Sequence, residues 1–152
     1  MDLAPRKPRL VLFGAGPIGR AFAAQFALLP FQVEAYDARP ELCDHAVILD
    51  DAEMVEAAAC LEEGDYALIA THSHDVDYEV AAAILKVGRA KFLGMVGSRG
   101  KRDGMIARLQ AEGFSEEVIA RLNCPVGMPG LKGKAPEMIA VSAAAQILGT
   151  LD

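Results

Sequence analysis

The sequence predicts an α/β protein built on a doubly wound parallel sheet. Apolar runs of strand length alternate with stretches of helical period along its 152 residues. Runs that are apolar throughout are typical of strands covered by helices on both faces. Hydrophobic residues make up 53% of the chain, enough for the core of one domain of this size. We expect a flexible N-terminal segment over 1–9 and a single domain over 10–152.

The predicted elements follow one another without a repeat or a linker. Strands are predicted at RLVLFGAG (9–16), FQVEAYD (31–37), HAVILD (45–50), DYALIAT (65–71) and KFLGMVG (91–97). Helices are predicted at 17–29, 51–64, 76–88, 98–113, 115–122 and 135–149. Pro17 suits a first helical turn and Ser115 suits an N-cap. The segment 124–134 is rich in glycine and proline, which predicts a loop with room for a short sixth strand.

Composition and charge exclude several classes of protein. A net charge of −6 and a pI near 5.1 argue against a general nucleic-acid binder, which needs a basic face. No apolar run approaches the roughly 20 residues of a membrane span, and MDLAPRKPRL lacks the apolar core of a signal peptide. Cys43, Cys60 and Cys124 form no CxxC pair, which is typical of reduced thiols in a cytoplasmic protein.

A glycine motif lies between the first predicted strand and the first predicted helix. Gly14, Gly16 and Gly19 match G-x-G-x-x-G, with Pro17 and Ile18 inside the motif. In this position the motif predicts a Rossmann-like turn whose backbone approaches a phosphate at the helix N-terminus. The alternative is that the glycines only shape a tight turn.

The second predicted strand ends at Asp37, followed by Arg39. A carboxylate at this place in a Rossmann-like fold binds the ribose of a dinucleotide. Arg39 is placed to meet a 2′-phosphate or to stack on a base. Both residues are therefore candidate ligand-binding residues, and NAD(P) is a candidate ligand.

The stretch THSHDVDYE follows the fourth predicted strand. If the strand order is 3-2-1-4-5, the sheet has its switch point between strands one and four, where ligands bind. Thr71, His72, Ser73, His74 and Asp75 then face the glycine loop. Three interpretations remain open: a metal site, a helix cap by Ser73 or Asp75, and a histidine that moves a proton or contacts a ligand. The residues alone assign neither a metal ion nor a catalytic group.

The fifth predicted strand is followed by a basic segment. Gly97, Ser98, Arg99, Lys101 and Arg102 lie at a predicted helix N-terminus, which favours an anion site. The alternative is a solvated basic turn.

Cys124 follows the short helix and precedes a proline, so its backbone is extended. It is interpreted either as a buried thiol or as a thiol of lowered pKa that faces the crevice.

Six stretches of the chain, taken together, resemble one family. They are LVLFGAGPIGRAFA, LPFQVEAYDAR, GDYALIATHSHDVDYEV, FLGMVGSRGKR, RLNCPVG and GKAPEMIAVSAAAQIL. In this order, from about Arg9 to Leu148, they are similar to the C-terminal Rossmann domain of the XdhC/CoxI family, the xanthine dehydrogenase accessory factors. Two features depart from the family. Its typical members carry a further domain before the glycine loop, and GMPGLKGKAP differs from their usual GxxIGAxTP.

The resemblance implies a function that composition and spacing do not reveal. It implies an accessory protein or chaperone that binds the molybdenum cofactor and assists its sulfuration by a cysteine desulfurase. The cofactor then passes to a molybdenum hydroxylase of the xanthine dehydrogenase type. The resemblance favours a non-enzymatic cofactor-maturation factor and leaves an enzyme open, and a homodimer is compatible with it. The alternatives are an NAD(P)-binding oxidoreductase, a nucleotide-sensing module, and an interaction domain without a ligand.

Overall fold

The computed structural model describes residues 6–42 and 44–151. Its strands are β1 (Arg9–Phe13), β2 (Gln32–Asp37), β3 (Val47–Ile48), β4 (Tyr66–Ile69), β5 (Phe92–Met95) and β6 (Leu122–Asn123). They form one sheet in the order β3-β2-β1-β4-β5-β6, and every neighbouring pair is parallel. The predicted doubly wound, Rossmann-like sheet is confirmed, including its short sixth strand.

Helices cover both faces of this sheet. They are α1 (Pro17–Phe26), α2 (Asp51–Ala59), α3 (His74–Val87), α4 (Arg99–Ala111), α5 (Glu116–Ile119) and α6 (Pro136–Leu148), with a 3-10 turn at Pro40–Leu42. Alternate residues of β1 enter two separate cores. Val11 and Phe13 pack in the core on one face, and Leu10 and Leu12 pack in the core on the other. The strands are apolar throughout because both of their faces are buried.

Several predicted boundaries differ from the structure. The predicted strand over 45–50 keeps only Val47–Ile48. The predicted helix over 51–64 ends at Ala59, because the Asp65 carboxylate accepts the N–H of Glu62 and holds the chain in a turn before β4.

The sixth strand also lies earlier than predicted. It is formed by Leu122–Asn123, outside the loop over 124–134. The predicted helix over 115–122 ends at Ile119. The Asn123 side chain donates to the carbonyl oxygens of Leu93 and Arg121, which fixes this part of the chain beside β5.

The predicted flexible segment covers residues 1–9, of which 1–5 lie outside the described residues. β1 begins at Arg9, where the first strand was predicted to begin and one residue before the predicted start of the domain. Across 6–42 and 44–151, no helix has the length and apolar character required to cross a membrane.

Two glycines let the β1–α1 loop lie directly on the end of β4. Gly14 has a φ of 115°, which L side chains rarely adopt, and a Cβ at this position would lie 2.0 Å from the carbonyl oxygen of Ala70. A Cβ at Gly19 would lie 2.1 Å from the carbonyl oxygen of Gly14. The loop after β1 and the loop after β4 therefore meet at one edge of the sheet.

Gly19→Ala is expected to destabilise the protein, because its methyl group would collide with backbone that has no room to move. We expect the free energy of unfolding to fall by about 3 kcal/mol in urea denaturation, as for other overpacked sites. Gly104→Ala is the matched control: it lies inside α4, with nothing within 4 Å of the added Cβ. It is expected to gain about 0.5–1 kcal/mol. Equal effects of the two substitutions would contradict the steric argument.

Candidate functional site

A crevice separates the glycine loop from the loop that follows β4. It has a volume of about 220 Å³. Its lining residues are Gly16, Pro17, Ile18, Arg39, Ala70, Thr71, His72, His74, Asp77, Val96 and Lys101. The sequence predicted this juxtaposition from strand order, and the structure confirms it. The N-terminus of α1 opens into the crevice and supplies unpaired N–H groups with a partial positive charge.

A larger cleft adjoins the crevice at Val96 and extends past the ends of β5 and β6. This β5–β6 cleft has a volume of about 870 Å³. Its lining residues are Val96, Gly97, Ser98, Arg99, Arg102, Asp103, Cys124, Pro125, Val126, Gly127, Met128, Pro129, Leu131, Gly133, Lys134, Ile139 and Ser142. It combines apolar walls with three cationic side chains, which suits a ligand that has an apolar body and anionic groups.

The predicted site residues divide between these two cavities. Gly16, Pro17, Ile18, Arg39, Thr71, His72, His74 and Lys101 line the crevice, whereas Gly97, Ser98, Arg99, Arg102 and Cys124 line the β5–β6 cleft. Gly14 and Gly19 shape the loop instead of lining either cavity. Ser73 is the N-cap of α3 and accepts the N–H of Val76, which confirms the capping interpretation. Asp75 lines neither cavity; its exposed carboxylate pairs with Arg108 at 3.2 Å.

Asp37 lies at the end of β2 with 1% of its surface exposed. Its two oxygens accept four hydrogen bonds: from the N–H of Ala15 at 2.8 Å, the N–H of Arg39 at 2.9 Å, and the guanidinium of Arg39 at 2.9 and 2.8 Å. Burial acts to raise the pKa of Asp37, but hydrogen bonds from Arg39 and Ala15 outweigh it and lower the pKa to about 2. The carboxylate of Asp37, which the sequence predicted to bind a ribose, therefore already accepts its hydrogen bonds from Ala15 and Arg39.

A second buried carboxylate, Asp77, lies at the bottom of the crevice. Asp77 accepts hydrogen bonds from the N–H and the hydroxyl of Thr71 at 2.9 and 2.6 Å. It also pairs with the ammonium of Lys101 at 2.6 Å, and that ammonium donates to the carbonyl of Val96 at 2.7 Å. Asp77 is 1% exposed and the Lys101 side chain 10%. This ion pair joins the loop after β4 to the start of α4.

Asp77 falls in the first turn of the predicted helix over 76–88 and was not a predicted site residue. The spacing of Asp77 from the apolar residues of the same helix is the signal that could have revealed its burial. Asp77 precedes Val80, Ala81 and Ile84 by three, four and seven residues, so it lies on the buried stripe of α3. A carboxylate on such a stripe needs a partner, and Lys101 is that partner.

The three histidines lie near the mouth of the crevice. His72 and His74 line it, and Nε2 of His72 is 3.7 Å from the Asp51 carboxylate. His45 was not a predicted site residue, yet its Nε2 lies 3.3 Å from the carbonyl oxygen of Ala15 in the glycine loop. Within 6–42 and 44–151, no three His, Cys, Asp or Glu side chains form a group able to hold a metal ion.

The Cys124 thiol lies in the β5–β6 cleft with 5% of its surface exposed. Burial raises the pKa of the Cys124 thiol, and the nearby cations Lys101 and Arg102 offset this only in part. The thiol is thus protonated at neutral pH. This geometry supports the buried-thiol interpretation over a thiol of lowered pKa.

Comparison with known proteins identifies the family. The model of the XdhC Rossmann domain matches residues 10–147. The chain belongs to this family. The expectation drawn from the glycine loop, THSHDVDYE and the basic segment is confirmed at the level of family membership.

Relatives of this XdhC Rossmann domain are considerably longer proteins. The Escherichia coli strain K12 protein YqeB is 36% identical over 150 residues, which cover 93% of this chain and 27% of YqeB. A probable xanthine dehydrogenase subunit from Bacillus subtilis strain 168 is 28% identical over 151 residues, 95% of this chain and 43% of that protein. The crystal structure of a xanthine dehydrogenase from Bacillus halodurans superposes with a TM-score of 0.79 at 26% identity, over 95% of this chain and 42% of that one. The chain spans less than half the length of each.

The depressed pKa of Asp37 predicts a pH-dependent contribution to stability. Its pKa falls from an ordinary 3.8 to about 2 on folding, so the stabilisation is complete above pH 3.8 and disappears as the pH falls through 2. We expect Asp37→Asn to lower the free energy of unfolding at pH 7 by about 2 kcal/mol. Urea titrations of both proteins between pH 7 and pH 2 measure the difference. A difference that does not shrink below pH 4 would contradict this assignment.

Lys101→Met is expected to destabilise the protein by about 3–5 kcal/mol, because it leaves the Asp77 carboxylate buried without a counter-charge. The double variant Asp77→Asn/Lys101→Met removes that charge and should be more stable than Lys101→Met alone, as measured by urea denaturation at pH 7. Arg102→Met is the control, since Arg102 forms only a long, exposed pair with Asp103 at 3.7 Å. Its effect should stay within about 0.5 kcal/mol.

Proposed function

We propose that this protein is an accessory factor for a molybdenum hydroxylase of the xanthine dehydrogenase type, and that it binds the molybdenum cofactor. The observation that carries the proposal is the single crevice formed by the glycine loop and the Thr71–His74 loop, which continues into a large cationic cleft. Membership of the XdhC family and similarity to a protein named as a probable part of xanthine dehydrogenase support the same function.

The residues in the two cavities fit the chemical parts of this cofactor. Its phosphate suits the N-terminus of α1, where N–H groups and the guanidinium of Arg39 favour an anion. Its pterin ring suits the apolar walls of the β5–β6 cleft, with Arg99 and Arg102 close to its polar edges. His72 and His74 offer ring nitrogens to polar groups at the mouth of the crevice. When bound, the cofactor supplies the molybdenum centre that the partner enzyme uses.

We further propose that the protein shelters the cofactor while a cysteine desulfurase supplies its terminal sulfur, and then delivers it to the hydroxylase. The described cysteines support an external source of sulfur. Cys124 is buried with a raised pKa. Cys60 follows the C-terminal end of α2, at the edge of the sheet opposite the crevice. Neither of these two thiols lines the crevice, and we assign the delivery of sulfur to the desulfurase.

A cofactor carrier is favoured here over an enzyme that acts on its own substrate. The nicotinamide alternative requires a ribose-binding carboxylate, and Asp37 has its acceptor positions occupied by Arg39 and Ala15. The polar groups around the crevice are placed to bind and orient a ligand. The buried Asp77–Lys101 pair holds the loop after β4 and the start of α4, which both border the crevice, in a fixed relation.

The proposal predicts that the protein binds the molybdenum cofactor and that crevice and cleft residues contribute to this affinity. His72→Ala and Arg99→Ala are each expected to weaken binding by about tenfold, the usual effect of losing a hydrogen bond to a charged or strongly polar group. Equilibrium binding of the isolated cofactor under anaerobic conditions measures the effect. Arg89→Ala is the control, because this exposed arginine lies between α3 and β5, at the opposite edge of the sheet.

Calorimetry with NAD and NADP provides the opposing test. Absence of cofactor binding, together with tight NAD binding that Asp37→Ala abolishes, would replace the proposed function with the nicotinamide alternative.

A further inference from the structure

We infer that the Asp37–Arg39 pair makes this crevice selective for ligands that end in a single phosphate, and closes it to dinucleotides. The inference rests on the proposed function, because it concerns the same crevice. It adds a specificity determinant and a ligand class: a fused heterocycle with a terminal phosphate monoester.

The first observation is that Asp37 has no acceptor position left for a ribose. A carboxylate accepts about four hydrogen bonds, and Asp37 accepts four from Ala15 and Arg39. With 1% of its surface exposed, it cannot be approached by a sugar hydroxyl. A bound dinucleotide would have to displace the guanidinium from a buried carboxylate and replace a charge-assisted pair with neutral hydrogen bonds.

The second observation is the position of the Arg39 guanidinium. Its terminal nitrogen lies 3.1 Å from the point that a Cβ on Gly16 would occupy, so it rests on the backbone of the glycine loop. In a dinucleotide complex the pyrophosphate crosses this loop towards the end of β2. Arg39 lies on that path. Its charge attracts a phosphate at the α1 N-terminus, and its bulk blocks a second nucleotide beyond it.

The third observation is that the larger cavity next to the crevice, the β5–β6 cleft, lies on the side away from β2. The β5–β6 cleft has about four times the volume of the crevice, 870 Å³ against 220 Å³, and Val96 lines both. Its size lies in the range of pockets that hold a heterocyclic ligand. Val126 and Ile139 give it apolar surface, and Arg99 and Lys134 give it positive charge. The body of the ligand therefore extends from the phosphate towards β6, away from β2.

Lys101 lies where the two cavities meet and has one donor to offer. Its ammonium carries three N–H groups, and two of them bind Asp77 and the carbonyl of Val96. Lys101 also lines the crevice, so a ligand bound there would be the acceptor for the third N–H. It gives the phosphate or the adjoining chain of the ligand a further charge-assisted contact.

Matched pairs of ligands that differ only in the second nucleotide test the inference. The first pair is the molybdenum cofactor and its cytosine dinucleotide form, and the second pair is FMN and FAD. Wild-type protein is expected to bind the single-phosphate member of each pair at least about tenfold more tightly. In Arg39→Ala the single-phosphate ligand should bind more weakly and the preference should fall to about one, because Asp37 becomes available.

Two further variants make this outcome interpretable. Arg39→Lys keeps the positive charge but loses the two-pronged pair with Asp37. It should therefore still bind the single-phosphate ligand but lose the preference for it over the dinucleotide. This variant also replaces Arg39→Ala if that variant fails to fold. Arg89→Ala should leave both affinities and their ratio unchanged.

Each outcome decides the inference. Equal binding of the cofactor and its dinucleotide form by wild-type protein overturns the inference and leaves the proposed function intact. Tight binding of NADP that Arg39→Ala abolishes also overturns it, because Arg39 would then recognise a 2′-phosphate. If neither cofactor form binds, the proposed function fails, and FMN and FAD decide the inference alone: a preference for FMN upholds it, and equal or absent binding overturns it.

Discussion

The close approach of the Gly14 backbone to the end of β4 is the contact on which the rest of the site depends. An atom added at Gly14 would lie 2.0 Å from the carbonyl oxygen of Ala70, so no side chain fits between the two segments. The N–H of Ala70 donates to Phe13 at 2.8 Å, which continues the pairing of β1 with β4 to the edge of the sheet. The N-terminus of α1 and the histidine-containing loop consequently face one another across the crevice.

Charge in this region is largely paired within the protein. Arg39 and Lys101, which the sequence offers as cations for a ligand, bind Asp37 and Asp77 respectively. These pairs hold the ends of β2 and β4 and the start of α4 in place without a ligand. Three further cations, Arg99, Arg102 and Lys134, line the larger cleft together with Asp103. The cleft therefore carries a local excess of positive charge, even though the whole chain is acidic.

Local pattern predicted the fold class, and the position of the crevice followed once the usual strand order of such a sheet was assumed. Continuous apolar strands, the glycine motif and strand order together place His72 opposite Gly16. Side-chain pairing was not predictable in the same way. The capture of Asp37 by Arg39 depends on which rotamer a long side chain adopts, and the approach of His45 to Ala15 depends on a loop of irregular path. The burial of Asp77 could have been predicted from its helical spacing to Val80, Ala81 and Ile84. It was not, because an acidic residue in a first helical turn is ordinarily explained by the helix dipole.

The two edge strands also limit how copies of this domain can associate. β3 and β6 contain two residues each, so neither edge offers an extended row of free backbone groups to a strand from another molecule. The outer face of α6, by contrast, exposes Met138, Val141 and Leu148, with 46%, 49% and 39% of their surfaces accessible. Extension of the central sheet from one copy to the next is therefore disfavoured, whereas the apolar side chains of α6 remain accessible at the surface.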